Sequence, residues 1–314
     1  MKKMKKKYLL SVLFLLLVLN VQGQQDPHYT QYMYNMNVIN PAYAGSKESI
    51  SGGILYRQQW VGLQGAPKTA TLSIHSPVGK NVGLGLSVIS DKIGPIEENN
   101  VYGDFSYTLN LGGEHRLALG LKAGATIHKV GLLSEIGNGF VRQPGDISFS
   151  ENTNSTFFNL GTGLFYYTQK YYVAFSLPNM IKNDYLDVSQ NGNQIQFGSE
   201  ALHYFLTGGY VFQLSDNLKY KPSAMIKSSV NAPVSFDLSS NFLFSERFEA
   251  GLTYRLDDSF GAMVNFAITP SIKVGYAYDR VISDINFTAP ASHEFMLLFD
   301  LNMVKKVSIS PRFF

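Results

Sequence analysis

Residues Leu117-Ala118-Leu119-Gly120-Leu121-Lys122-Ala123-Gly124-Ala125-Thr126-Ile127-His128 alternate strictly between two kinds of side chain. Leu117, Leu119, Leu121, Ala123, Ala125 and Ile127 share one parity; Ala118, Gly120, Lys122, Gly124, Thr126 and His128 share the other. Successive side chains of an extended chain point to opposite faces, so one set meets an apolar medium and the other a polar, crowded or wet one. The run exceeds the roughly 5–6 residues of an average soluble strand. It matches the roughly 9–11 that a tilted strand needs to cross a bilayer. Similar alternation recurs along nearly the whole chain, which predicts an all-β protein: a single transmembrane antiparallel β-barrel.

About fourteen such segments can be placed, an even number of the kind that single-chain bacterial barrels use. They begin near Ile50, Lys68, Asn81, Asn99, His115, Thr156, Lys170, Ala201, Leu218, Val234, Arg247, Ser259, Ile272 and Ser292. Parity assigns Lys122, Asp237, Glu249, Arg255, Lys273, Glu294 and Asp300 to the lumen, since a basic residue facing lipid at mid-membrane costs about 2–4 kcal/mol. The same parity expects Gly120→Ser and Thr253→Arg to be tolerated where Leu119→Arg and Leu252→Arg are not. Aromatic residues are abundant, with 19 Tyr and 22 Phe. Tyr102, Phe105, Tyr107, Tyr166, Tyr167, Tyr171, Tyr172, Tyr204, Tyr210 and Phe212 lie near segment ends, where barrels carry aromatic girdles. Short connections such as Gly112-Gly113-Glu114, Ser245-Glu246 and Asp257-Asp258 contrast with long polar ones at Gly131–Ser155, Asn179–Glu200 and Arg280–Ala291. Barrels keep short turns on the periplasmic side and long loops outside.

The N-terminus carries an address. Lys2, Lys3, Lys5, Lys6 and Lys7 precede an apolar run from Tyr8 to Leu19, and Val21-Gln22-Gly23 offers small residues for a signal peptidase. That run is short beside the roughly 20 residues of a spanning helix. Residues 1–23 therefore read as a signal peptide, and the expected location is the bacterial outer membrane. Loss of the five signal lysines turns the formal charge of +3 into −2, leaving no nucleic-acid footprint. A mean hydropathy of −0.03 does not oppose a barrel, because every second residue faces the lumen. Cysteine is absent, so disulfides, thiol chemistry and Cys-based metal sites are excluded.

Catalytic chemistry finds no foothold. The six histidines (His28, His75, His115, His128, His203 and His293) show no HExxH spacing. Ser292-His293-Glu294 places neighbours on opposite faces of a strand and forms no triad by itself. No G-x-S-x-G elbow occurs. Gly83-Leu84-Gly85 and Gly161-Thr162-Gly163 precede no helix that would hold a phosphate. Asp91 and Asp257-Asp258 lack calcium-loop spacing and read as solvated turns. No enzyme activity, cofactor or metal is expected.

The remaining signal precedes the first strand. Gln25-Asp26-Pro27-His28-Tyr29-Thr30-Gln31-Tyr32-Met33-Tyr34-Asn35 is followed by Asn40-Pro41-Ala42-Tyr43-Ala44-Gly45-Ser46, and the chain ends Ser310-Pro311-Arg312-Phe313-Phe314. With Arg57, Gln59 and Trp60, these stretches resemble the PorP/SprF family of Bacteroidetes outer-membrane proteins, part of the type IX secretion and gliding-motility apparatus. The resemblance implies a non-enzymatic barrel that supports export and surface attachment of a secreted partner, such as an adhesin with a type B C-terminal signal domain. It implies contact with outer-membrane lipid and periplasmic type IX components. A general diffusion porin is the alternative.

Asp26-Pro27 and Asn40-Pro41 break strand pairing, so residues 24–46 are expected to stand apart from a barrel of residues 47–314. Tyrosines bring large surfaces whose polar tips need partners when buried. The segment is expected either to plug the barrel or to dock a partner. The candidate partner-binding residues are Asp26, Pro27, Tyr29, Gln31, Tyr32, Tyr34, Asn35, Asn40, Pro41, Tyr43 and Gly45. The terminal Ser310–Phe314 is a family marker without an assigned role.

Overall fold

The computed structural model describes residues 29–47, 49–131, 153–181, 184–190, 193–199, 202–229, 233–283 and 291–301. Residues 1–23, where a signal peptide is expected, Asp26, Pro27 and the C-terminal tail lie outside the described residues. Seven strands form the first half of the wall: β1 (Ile50–Gln58), β2 (Lys68–Pro77), β3 (Val82–Ile93), β4 (Ile96–Gly112), β5 (His115–Val130), β6 (Thr153–Tyr167) and β7 (Tyr171–Leu177). A separate hairpin follows, β8 (Asp184–Gln190) with β9 (Asn193–Ser199), inside what the sequence presents as one long polar loop. The wall resumes with β10 (His203–Tyr210), the short β11 (Phe212–Ser215), β12 (Leu218–Ser229) and β13 (Ser235–Phe244). It ends with β14 (Phe248–Arg255), β15 (Ser259–Thr269), β16 (Ile272–Val281) and β17 (Ala291–Leu301).

Every neighbour is antiparallel, and two pairings close the ring. β1 pairs with β17 from Ile50↔Leu301 to Gln58↔His293, while β10 bridges β7 and β12. Setting aside β8–β9 and the hairpin tip β11, 14 strands form a closed barrel with no free edge. The fourteen starts read from periodicity fall within a few residues of the observed ones. The strand expected at Asn99 begins earlier, at Ile96, because β3 and β4 pair up to Ile93↔Ile96 across a tight turn. That turn uses Gly94, whose φ of +55° suits glycine.

The alternation sorts as periodicity requires. Leu121 is 62% exposed on the outer face, whereas its neighbour Lys122 is 2% exposed inside. Of the inward charges read from parity, Lys122, Asp237, Glu249, Arg255 and Glu294 are buried in the lumen, and Lys273 and Asp300 are half-buried near its mouth. Part of the aromatic expectation is corrected. Tyr102, Tyr167 and Tyr172 are buried on the inner face, where they meet other side chains instead of a membrane interface. Outside, Tyr166, Tyr171, Tyr210, Phe212, Tyr220 and Phe242 form a chain of ring contacts with centroids 4.3–6.0 Å apart. This belt lies at the end of the barrel where connections are short. The turns after β2, β4, β6, β13 and β15 all open on that mouth, while the connections after β5 and β7 reach the opposite one. We call them the short-turn and long-loop mouths.

Candidate functional site

Residues 29–47 do not extend the wall; they fold inside it. Asn40 is extended (φ −140°, ψ 109°), as the residue before a proline prefers. Its Oδ1 accepts from the Ala42 N–H at 2.9 Å, capping the 3-10 turn Pro41–Tyr43 with proline at its start. An α turn at Met36–Ile39 and a 3-10 turn at Tyr32–Tyr34 precede it. Local turns satisfy part of the segment's backbone, and the remaining backbone groups and the side chains reach the wall.

The segment descends from the long-loop half of the lumen toward the short-turn mouth. At its upper end the Glu294 carboxylate accepts the Thr30 N–H at 2.9 Å and the Gln31 N–H at 2.8 Å. Arg57 bridges Asp279 at 2.7 Å and Glu294 at 3.1 Å, and donates to the Thr30 hydroxyl at 2.7 Å. Midway, Asn37 donates to Asp104 at 3.2 Å, and Lys122 joins Asp104 at 3.1 Å while donating to the Val38 carbonyl at 3.1 Å. Across the lumen the Tyr34 hydroxyl donates to Glu249 and accepts from Lys221 at 2.9 Å. Lower down, Ser176 donates to the Ile39 carbonyl at 2.7 Å, Asn40 to the Leu164 carbonyl at 3.0 Å, and the Gly45 N–H to His75 Nδ1 at 3.2 Å. Ser106 donates to the Ala44 carbonyl. The anchors therefore surround the segment.

Apolar packing does the rest. Tyr32, Met33, Met36 and Tyr43 share one buried cluster with Leu55, Phe165, Tyr172 and Met263 from the wall. Tyr43 meets Phe165 edge-on at 5.2 Å and His75 at 5.3 Å, the arrangement that ring quadrupoles favour. Burial pushes the Tyr32, Tyr34 and Tyr43 hydroxyls well above the ordinary phenol range, and the charge of Glu249 adds to this at Tyr34. All three are neutral donors at physiological pH.

Three glycines set how closely wall and segment approach. A Cβ on Gly83 would overlap the Ala44 backbone, one on Gly120 the Ala42 backbone, and one on Gly163 the Asn40 side chain. The tolerance expected of Gly120→Ser is thereby corrected: the position faces the lumen, but backbone already occupies that part of it.

The structure gathers Tyr29, Gln31, Tyr32, Tyr34, Asn35, Asn40, Pro41, Tyr43 and Gly45 in this one segment. All are buried except Tyr34 and Gly45, which are half-buried. Sequence reasoning missed Asp104, Lys221 and Asp279 as wall partners, although the same parity rule places each of them inward. Among the described residues no group of His, Asp and Glu is arranged to hold a metal. The arrangement is one of fixation, with donors and charges spent on holding the segment in place.

The comparisons with known proteins agree with this architecture. The CymD monoaromatic hydrocarbon channel superimposes with a TM-score of 0.50 at 14% identity, covering 90% of this chain and 95% of that one. The toluene transporter TbuX of Ralstonia pickettii gives a TM-score of 0.50 at 12% identity, covering 91% and 100% respectively. At such identities the likeness concerns the fold alone. No curated protein matches the sequence. The family model of the type IX secretion system membrane protein PorP/SprF matches residues 21–299; the chain belongs to this family and is one of its outer-membrane β-barrels.

Proposed function

We propose that this barrel is a non-enzymatic component of the type IX apparatus that supports export and surface attachment of a secreted partner, an adhesin with a type B C-terminal signal domain being the cargo class. The observation that carries the reading is a lumen occupied by the chain's own residues 29–47, tied to the wall by Glu294, Asp104, Lys122 and Glu249. A barrel so filled is suited to anchoring and assembly, and poorly suited to free diffusion of solutes. Docking on the segment 24–46 belongs to the same proposal. Because Tyr29, Tyr32 and Tyr43 are buried, a partner meets the segment where it nears the short-turn mouth, at half-buried Tyr34, Gly45 and Lys47.

The test is deletion of the gene followed by localisation of proteins that carry type B signal domains. Retention of such cargo inside the cell, with other outer-membrane proteins unchanged, is the expected result; normal surface display would refute the role. Planar-bilayer recording addresses the porin alternative. Small or no steady current is expected from the intact barrel, and sustained large single-channel currents would favour a porin.

A further inference from the structure

Inside the short-turn mouth lies a cleft of about 800 Å³, floored by Tyr34 and walled by the ends of β12–β17. Four cations line it: Lys47, Lys221, Arg247 and Lys273. Two are matched by carboxylates, Lys221 with Glu249 at 3.2 Å and Lys47 with Asp300 at 3.4 Å. The lining's other acid, Glu246, is engaged by Lys219 outside the cleft. Among the described residues, Lys273 and Arg247 form no ion pair with a carboxylate. Each faces an aromatic ring instead: Lys273 Nζ lies 5.2 Å from the Tyr34 ring centroid, and the Arg247 guanidinium 5.7 Å from that of Phe266. Lys221 Nζ lies 5.0 Å from the same Tyr34 ring. The cleft thus holds a half-buried Lys273 and an exposed Arg247 outside any ion pair, beside an apolar lining made by Leu243, Ala267 and Leu298. The more distant carboxylates of Glu249, Asp300 and Glu246 act on Lys273.

We propose that this cleft is a binding site for an acidic, partly apolar peptide segment of a periplasmic partner, its carboxylates pairing with Lys273 and Arg247. The volume admits a few residues. Leu243, Ala267, Lys273 and Leu298 point into the lumen and away from the bilayer, so an extended segment approaching along the barrel axis enters directly. Arg247 sits at the rim over the outward Phe266 ring, whereas a phospholipid headgroup would have to bend over that rim to reach Lys273 as well. The proposal rests on the reading above that the short-turn mouth faces the periplasm, and it gives the docking part of that reading a chemistry.

The test uses the purified full-length barrel in detergent and a rhodamine-labelled Leu-Glu-Leu-Glu-Leu peptide, with Leu-Gln-Leu-Gln-Leu as its neutral counterpart, followed by fluorescence anisotropy. At least tenfold tighter binding of the acidic peptide is expected, lost when Lys273→Gln is combined with Arg247→Gln and greatly weakened at 0.5 M salt, where screening shortens charge interactions to a few ångströms. Equal affinity for the two peptides, or indifference to the double variant, would overturn the site. Displacement by dihexanoyl-phosphatidylglycerol below its micellar concentration would overturn it in favour of a lipid headgroup. If Lys273→Gln prevents assembly, two variants on the exposed β13–β14 turn decide the matter: Arg247→Gln must weaken acidic-peptide binding severalfold and Glu246→Lys must strengthen it. Because the assay needs no secretion, its failure beside an export defect in the gene deletion would remove this cleft and leave the broader function standing.

Discussion

The two halves of the barrel hold the same inner segment in different ways. Along β3–β6 the wall comes close enough for backbone to touch it, because Gly83, Gly120 and Gly163 carry no Cβ and hydroxyl and ammonium groups reach the segment's carbonyls. Along β12–β15 the inner face includes the small or polar Ser223, Ser239, Asn241, Gly251, Gly261 and Asn265 beside the charged Lys221, Asp237, Glu249 and Arg255. There the segment spans the gap with long side chains, the Tyr34 hydroxyl reaching Glu249 and the Tyr32 ring lying toward Ser223 and Ser239. The hydroxyls of Ser223 and Ser239 face the Tyr32 hydroxyl, and the Asn265 amide faces that of Tyr34. One wall is a mount and the other a polar face bridged by tyrosines, so equal chemical changes on the two sides should have unequal effects.

The largest effect is expected at the anchor where the segment meets β1, β16 and β17. Glu294→Ala leaves Arg57 with Asp279 as its one carboxylate and orphans the Thr30 and Gln31 N–H groups; breaking a buried pair of this kind costs about 3–5 kcal/mol. Thermal melting of heat-modifiable mobility in detergent gels should register it, together with new protease cleavage within residues 29–47. A melting point like that of the wild type would mean the anchor is dispensable. Leu119→Arg on the mounted half and Leu252→Arg on the tyrosine-bridged half should each cost about 2–4 kcal/mol. Equal loss of assembled barrel in outer-membrane fractions is the expected outcome, because the asymmetry is confined to the lumen. A strong inequality would show that it extends to the lipid face.

Gly120→Val tests the mount itself. Its side chain overlaps the Ala42 backbone, and overpacking of this sort costs about 1–3 kcal/mol. Ser239→Val on the opposite face should fall below that, and chemical-denaturant midpoints compared side by side would reverse the argument if Ser239→Val were the worse of the two. Tyr34→Phe removes one hydroxyl while leaving the Lys221–Glu249 pair, and about 1 kcal/mol is expected. Ser239→Ala, which deletes one of the two serine hydroxyls facing the Tyr32 hydroxyl and leaves Ser223 in place, should change stability least.

Much of this was legible beforehand. Strand periodicity depends on neighbours two residues apart, so β5, β13, β15 and β17 could be read with their faces, and Lys122, Glu249 and Glu294 could be turned inward without coordinates. Asn40-Pro41 announced a break for the same local reason. Tyr102, Tyr167 and Tyr172 were read toward the girdle because their position near segment ends weighed more than their parity. Gly120 was read as open lumen because no local pattern shows what fills the space.

By itself, the sequence determined the strand starts, the two faces, the family motif and the charges that had to avoid lipid, since each follows from short-range spacing and the cost of exposing polarity to hydrocarbon. Only the tertiary structure decided which charges meet. Glu294 accepts the Thr30 N–H across 264 positions of chain, and that contact exists because pairing of β1 with β17 brings the two ends of the barrel sequence side by side. The inner segment then settles where glycines on one wall admit its backbone and tyrosines span to the other, a fit set by closure geometry that no local period encodes.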